Sequence, residues 1–118
     1  MTSNAKKYSL LAIKALLTLA FVAAGTAKLA GVEMMVQTFD AVGVGQWFRY
    51  VTGVIEIGGA ALLWVRGRRF IGAGLLVLTM LGAVLTHLFI LGPSAAPALV
   101  LGALAAVVAF SYRDQSPA

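Results

Sequence analysis

The chain contains no cysteine, which excludes a disulfide framework, a thiol–disulfide redox centre and any thiolate metal site. It also has a single histidine and only four carboxylates in 118 residues. Paired-histidine haem patterns, glycine-rich dinucleotide fingerprints and clusters of metal ligands are all missing, so any redox chemistry must come from a bound molecule. Charge is scarce at 11%, whereas 61% of the residues are hydrophobic and the mean hydropathy is +0.96. A soluble domain of this length cannot hide so much apolar surface, and the composition is that of a membrane protein. The net charge of +5 does not point to nucleic acid. Its basic residues gather at the ends of apolar segments and form no contiguous face, as membrane topology requires.

What is present divides into four apolar stretches. A short basic start is followed by a run over 8–30, long enough to cross the roughly 30 Å hydrocarbon layer. The run is too long for a signal peptide and is interrupted by Lys14, which is expected to snorkel to the cytoplasmic side. Residues 32–45 carry Glu33, Gln37 and Asp40 among Met34, Met35, Val36, Phe39 and Val42, the pattern of a short amphipathic helix ended by Gly43 and Gly45. A second span, 47–65, has Trp47 and Tyr50 at one end and Trp64 at the other, like aromatic anchors at two interfaces. The compact basic turn Arg66-Gly67-Arg68-Arg69 leads into a third span, 70–91. After the uncharged turn Gly92-Pro93-Ser94-Ala95-Ala96-Pro97 comes a fourth, 96–112, and then a polar tail.

The expected fold is therefore all-α: a single-domain integral membrane four-helix bundle with an amphipathic segment between helices 1 and 2. Four spans place Lys6, Lys7, Arg66, Arg68, Arg69 and Arg113 on one face and leave Lys28 and Arg49 near the other. The positive-inside rule makes the first face, with both termini, cytoplasmic in an inner membrane. No internal repeat is visible.

One stretch demands a reason. Gly53-Val54-Ile55-Glu56-Ile57-Gly58-Gly59-Ala60 puts a carboxylate in the middle of an apolar span, where charge costs at least a few kcal/mol unless it is paired, hydrated or neutralised. Helical spacing collects Arg49, Thr52, Gly53, Glu56, Gly59, Ala60 and Leu63 into one stripe. The first span similarly aligns Lys14, Thr18, Phe21, Gly25 and Lys28, and the third Thr79, Met80, Ala83, Thr86 and His87. Gly25, Gly53, Gly58, Gly59, Gly72, Gly74, Gly82 and Gly102 read as close-packing positions between helices. At about 1.5 Å per residue, Glu56 lies roughly 13 Å below the outer end of its span, His87 roughly 6 Å and Lys28 roughly 3 Å below theirs. These depths favour a polar pocket opening outwards, with Glu56, His87 and Lys28 as its chemical groups. Arg49, Thr52 and Thr86 are its further walls and Asp40 a lid contact. Each has a structural alternative: snorkelling for Lys28 and Arg49, a backbone-bonded histidine for His87, and a purely structural ion pair for Glu56.

Gly25-Thr26-Ala27-Lys28-Leu29, the amphipathic stretch after it, Gly53-x-x-Glu56-x-x-Gly59-Ala60-x-Leu62-Leu63, and Ala73-x-Leu75-Leu76 with Met80 and Ala83 resemble the DoxX-like family of small four-helix membrane proteins. The likeness covers about residues 8–110. It implies a paired buried site at Lys28 and Glu56 and says less of His87. The family's name derives from a membrane subunit of a thiosulfate:quinone oxidoreductase, and its members look functionally diverse.

Three functions follow as expectations. In the first, the pocket binds or acts on a small lipophilic molecule, quinone- or isoprenoid-like, with Glu56 and His87 moving protons and Lys28 or Arg49 steadying an oxyanion. The second is proton-coupled transport of a cationic lipophilic substrate. The third is a non-catalytic subunit whose Arg66–Arg69 turn touches anionic lipid or an acidic partner. Membrane lipids, a lipophilic ligand, a second copy of the chain and a partner subunit are the expected partners; no metal or nucleotide cofactor is expected, and a quinone is the candidate cofactor.

Overall fold

Residues 3–28 are rich in alanine, leucine and lysine and contain no proline and a single late glycine, which leaves nothing to interrupt an α-helix before Gly31. In the computed structural model, which describes residues 3–92 and 95–114, they form α1 (Ser3–Ala30). Gly31 ends it at φ +70°, with its amide on the Ala27 carbonyl at 3.2 Å and that of Val32 on the same oxygen at 3.3 Å. This left-handed close suits a residue without a Cβ. The amphipathic segment is α2 (Glu33–Val42), with Glu33 in its first turn and Phe39 buried, closed by Gly43 at φ 84°.

The helix carrying Glu56 is α3 (Trp47–Leu62), after which the chain turns through 63–68 into α4 (Arg69–Thr86). The third expected span does not remain α-helical to Leu91. His87–Leu91 is a π-helical turn, closed by the Gly92 amide on the His87 carbonyl at 2.9 Å, and Gly92 at φ 81° ends the segment. Finally α5 (Ala96–Ser111) starts with Pro97 in its first turn, where the missing N–H has no helical partner to lose. Among the described residues there is no strand. Pro93 and Ser94 of the expected turn, the chain start at Met1 and Thr2, and Gln115 to Ala118 of the polar tail lie outside the described residues.

Helix α3 packs against α1 and α4, α5 packs on α4, and α1 also touches α5. Two glycine pairs set the spacing. A methyl on Gly25 would lie 2.8 Å from the Gly53 carbonyl oxygen, and one on Gly72 would lie 2.6 Å from that of Gly59. Backbones this close admit no side chain between them. Gly58, Gly74 and Gly82 differ, with no atom of the described residues within 4 Å of an added Cβ, so close packing explains only part of the glycine content. Leu17, Phe21, Ala60, Leu63, Ala73, Leu76, Ala105 and Val108 form the core.

Outside that core the surface is apolar. Leu19, Leu78, Phe89 and Phe110 are each more than 60% exposed, a surface that suits lipid and not water. The segments Asn4–Ala30 and Arg69–Leu91, of 27 and 23 residues, are long and apolar enough to cross a bilayer, and little of either is buried. Helices α3 and α5 have 16 residues each. Their length of about 24 Å at 1.5 Å per residue is below the roughly 30 Å hydrocarbon layer.

Candidate functional site

The Gly25–Gly53 contact determines what its neighbours can do. Helices α1 and α3 run antiparallel, as the Lys28–Arg49 and Thr18–Trp64 contacts show, so Lys28 and Glu56 lie one turn to either side of that contact. Each side chain leans back towards its own helix N-terminus, and the two converge over the glycines. The Lys28 ammonium sits 2.7 Å from Glu56 Oε1, with Glu56 only 2% exposed and Lys28 14%. Among the described residues no hydrogen-bond donor other than that ammonium reaches this oxygen. A buried pair of this kind offsets its own desolvation only through mutual attraction, and removing either member strands the other.

The pair borders a cavity of about 330 Å³ between α2, α3 and α4. Its walls are mostly apolar, among them Met35, Phe39, Val42, Ile55, Met80 and Ala83. Thr38, Thr52, Thr79 and Thr86 also line it. Each hydroxyl donates 2.8 Å back to a carbonyl in its own helix, of Met34, Phe48, Leu75 and Gly82 respectively. Their donors are thus spent, and what they offer a guest is acceptor lone pairs. His87 lines the cavity from the π-helical turn, and its Nδ1 is buried without a hydrogen-bond partner among the described residues. Lys28, Glu56, Thr52, Thr86 and His87 therefore do share one space.

Arg49 and Asp40 do not line it, contrary to their expected places as wall and lid. Arg49 is 5% exposed and does not snorkel. Its Nη1 donates to the Lys28 carbonyl, its Nε donates to Gln46 Oε1 at 2.7 Å, and its guanidinium lies 4.4 Å from the centre of the Tyr50 ring. Gln46 in turn donates to Asp40 Oδ1 at 2.8 Å and to the Val36 carbonyl at 3.0 Å. The cause is the end of α1, whose last carbonyls have no partner within the helix. A guanidinium with several fixed donors satisfies one of them and ties α1 and α2 to α3, while side-chain-free Gly31 leaves room for it.

Sequence reasoning missed Gln46 in this latch and Thr38, Phe39 and Thr79 in the cavity wall. The signal for Gln46 was its spacing of three from Arg49. For Phe39 it was the Met35, Phe39, Val42 apolar face of α2. Among the described residues no group of three or more histidine, cysteine or carboxylate side chains is placed to hold a metal.

Over residues 12–110 the chain matches the family model described as the DoxX-like family. No curated protein and no solved structure matches it.

Proposed function

We propose a ligand-binding role from the premise that the chain belongs to the DoxX-like family and is a small membrane protein. In this reading the cavity beside Lys28 and Glu56 takes a small lipophilic molecule with a polar head, quinone- or isoprenoid-like. Helices α1, α3, α4 with its π-helical turn, and α5 form a single-domain four-span bundle in the inner membrane, and α2 lies at the outer interface. Both termini face the cytoplasm. The groove shared by Lys6, Lys7 and Arg69 supports that orientation, because it gathers basic residues from two separate segments at one end.

The observation that carries the reading is the buried Lys28–Glu56 pair on the wall of an otherwise apolar space. An oxygen of the guest accepts from the Lys28 ammonium or the His87 ring, and a hydroxyl donates to Glu56 or to the threonine oxygens. Its tail gains from the apolar walls, as in most small-molecule pockets. Glu56 and His87 hold or pass protons at the head. The sequence supplies neither a thiolate nor a second histidine, so the bound guest carries the electrons, and it exchanges them with a partner subunit. The protein acts as the ligand-binding component of a membrane oxidoreductase, beside that subunit or a second copy of itself.

Titration of the purified protein with a short-chain benzoquinone tests the reading. Saturable binding is expected, and Glu56→Gln weakens it about tenfold, the value of one charge-assisted hydrogen bond. Unchanged binding in the variant overturns the reading. Proton-coupled transport of a cation is the competing reading, and the ion pair disfavours it because Lys28 already occupies the carboxylate such a cargo needs. Proton-gradient-driven uptake into vesicles, abolished by Glu56→Gln, would reverse that preference.

A further inference from the structure

Lys14 is 7% exposed and, among the described residues, no hydrogen bond or ion pair reaches its ammonium. The charge lies instead 4.7 Å from the centre of the Trp64 ring and 5.4 Å from that of Tyr112. Arg69 flanks the same tyrosine at 5.1 Å, and its Nε is buried without a hydrogen-bond partner among the described residues. Both side chains border a groove of about 410 Å³ whose other walls include Lys6, Lys7, Leu10 and Leu11. Among the described residues four cations face this space and no carboxylate lines it. Aromatic faces attract each cation but cannot neutralise it. An ammonium held against aromatic rings in a cleft, beside a guanidinium with an unspent donor, is short of a counter-charge.

We propose that this groove is a binding site for a phosphate-bearing anion, held by Lys14 and Arg69 with Lys6 and Lys7 at its rim. The chemistry of the donors selects phosphate. An arginine fork and several ammonium groups converge on more acceptor oxygens and more charge than one carboxylate provides. Leu10 and Leu11 in the same groove favour an anionic phospholipid headgroup over free phosphate, because an acyl chain covers them. The site is separate from the Lys28–Glu56 cavity, and neither depends on the other.

The test is the thermal midpoint of the purified full-length protein in neutral detergent and high salt, where screening shortens the reach of exposed charges to a few ångströms. Phosphatidylglycerol, phosphatidylcholine or inorganic phosphate alone is added. Phosphatidylglycerol is expected to raise the midpoint saturably and phosphatidylcholine to leave it in place. Lys14→Gln raises the half-saturating concentration about tenfold, the value of one charge-assisted hydrogen bond. The double variant Arg66→Gln/Arg68→Gln, altered outside the groove, stays close to wild type. If inorganic phosphate reproduces the shift and displaces the lipid, the phosphate site stands and its source is free phosphate. If it does neither, the site reads lipid. Should Lys14→Gln fail to fold, Arg69→Gln is measured in its place. An equal response to the two lipids, an unchanged response in the groove variant, or an equal loss in Arg66→Gln/Arg68→Gln overturns the proposal.

Discussion

Two lysines on one face of α1 are accommodated by opposite means. Lys28, in the last turn, has a carboxylate at 2.7 Å. Lys14, near the middle, has two aromatic rings and an open groove. The difference separates two uses of a buried cation. Where the protein supplies the counter-charge, the pair is neutral as a unit and can sit beside an apolar guest. Where it does not, the deficit draws an anion from outside. Position contributes as well, since a cation at the C-terminal turn of a helix is favoured by the unpaired carbonyls there and one in mid-helix is not.

That contrast can be broken most severely at Glu56. Glu56→Ala strands the Lys28 ammonium and is expected to cost about 3–5 kcal/mol in reversible unfolding in detergent. The double change Lys28→Met/Glu56→Leu recovers most of the loss, and a cycle of the four proteins measures the coupling. A smaller effect is expected from the spacing beneath the pair. Gly25→Ala presses a methyl against the Gly53 carbonyl and costs about 1–3 kcal/mol by overpacking. It also weakens binding at the Lys28 end while leaving the Lys14 groove intact. Gly74→Ala, with open space at the added Cβ, is neutral or stabilises by up to about 1 kcal/mol. Smaller still is Lys14→Met without added anion, expected within about 1 kcal/mol, since it removes both a cation–π attraction and a desolvation cost. If Lys14→Met is as damaging as Glu56→Ala, the two lysines are not handled differently. The smallest effect is that of exposed Arg66→Gln, within about 0.5 kcal/mol.

The stripe on α3 was legible because membrane helices have few polar groups and each must be accommodated. Arg49, Gly53, Glu56, Gly59, Ala60 and Leu63, collected by spacing alone, are all buried. Thr52 on the same stripe is at the cavity margin, half-buried. Helix positions were equally legible from the apolar runs and from Gly31 and Gly43. The π-helical turn at His87–Leu91 was not, because one extra residue per turn leaves the hydrophobic pattern nearly unchanged. Nor was the destination of Arg49, which depends on a carbonyl in the last turn of a different helix. Lys14 shows the same limit. Snorkelling is the default for a lysine in an apolar run, and the rings of Trp64, from the turn after α3, and Tyr112, which caps the end of α5, make another environment.

The most direct test fills the cavity without touching its charges. Gly82 lines that space and has open room at its Cβ, so Gly82→Leu occupies the guest's volume while Lys28 and Glu56 stay paired. Calorimetric titration with a short-chain benzoquinone, on wild type and on Gly82→Leu at equal detergent concentration, gives the answer. One saturable site is expected in wild type and none in the filled variant, with unfolding stability unchanged. Identical heats in the two proteins, without saturation, would mean that the quinone only partitions into the micelle and that the cavity is not a binding site.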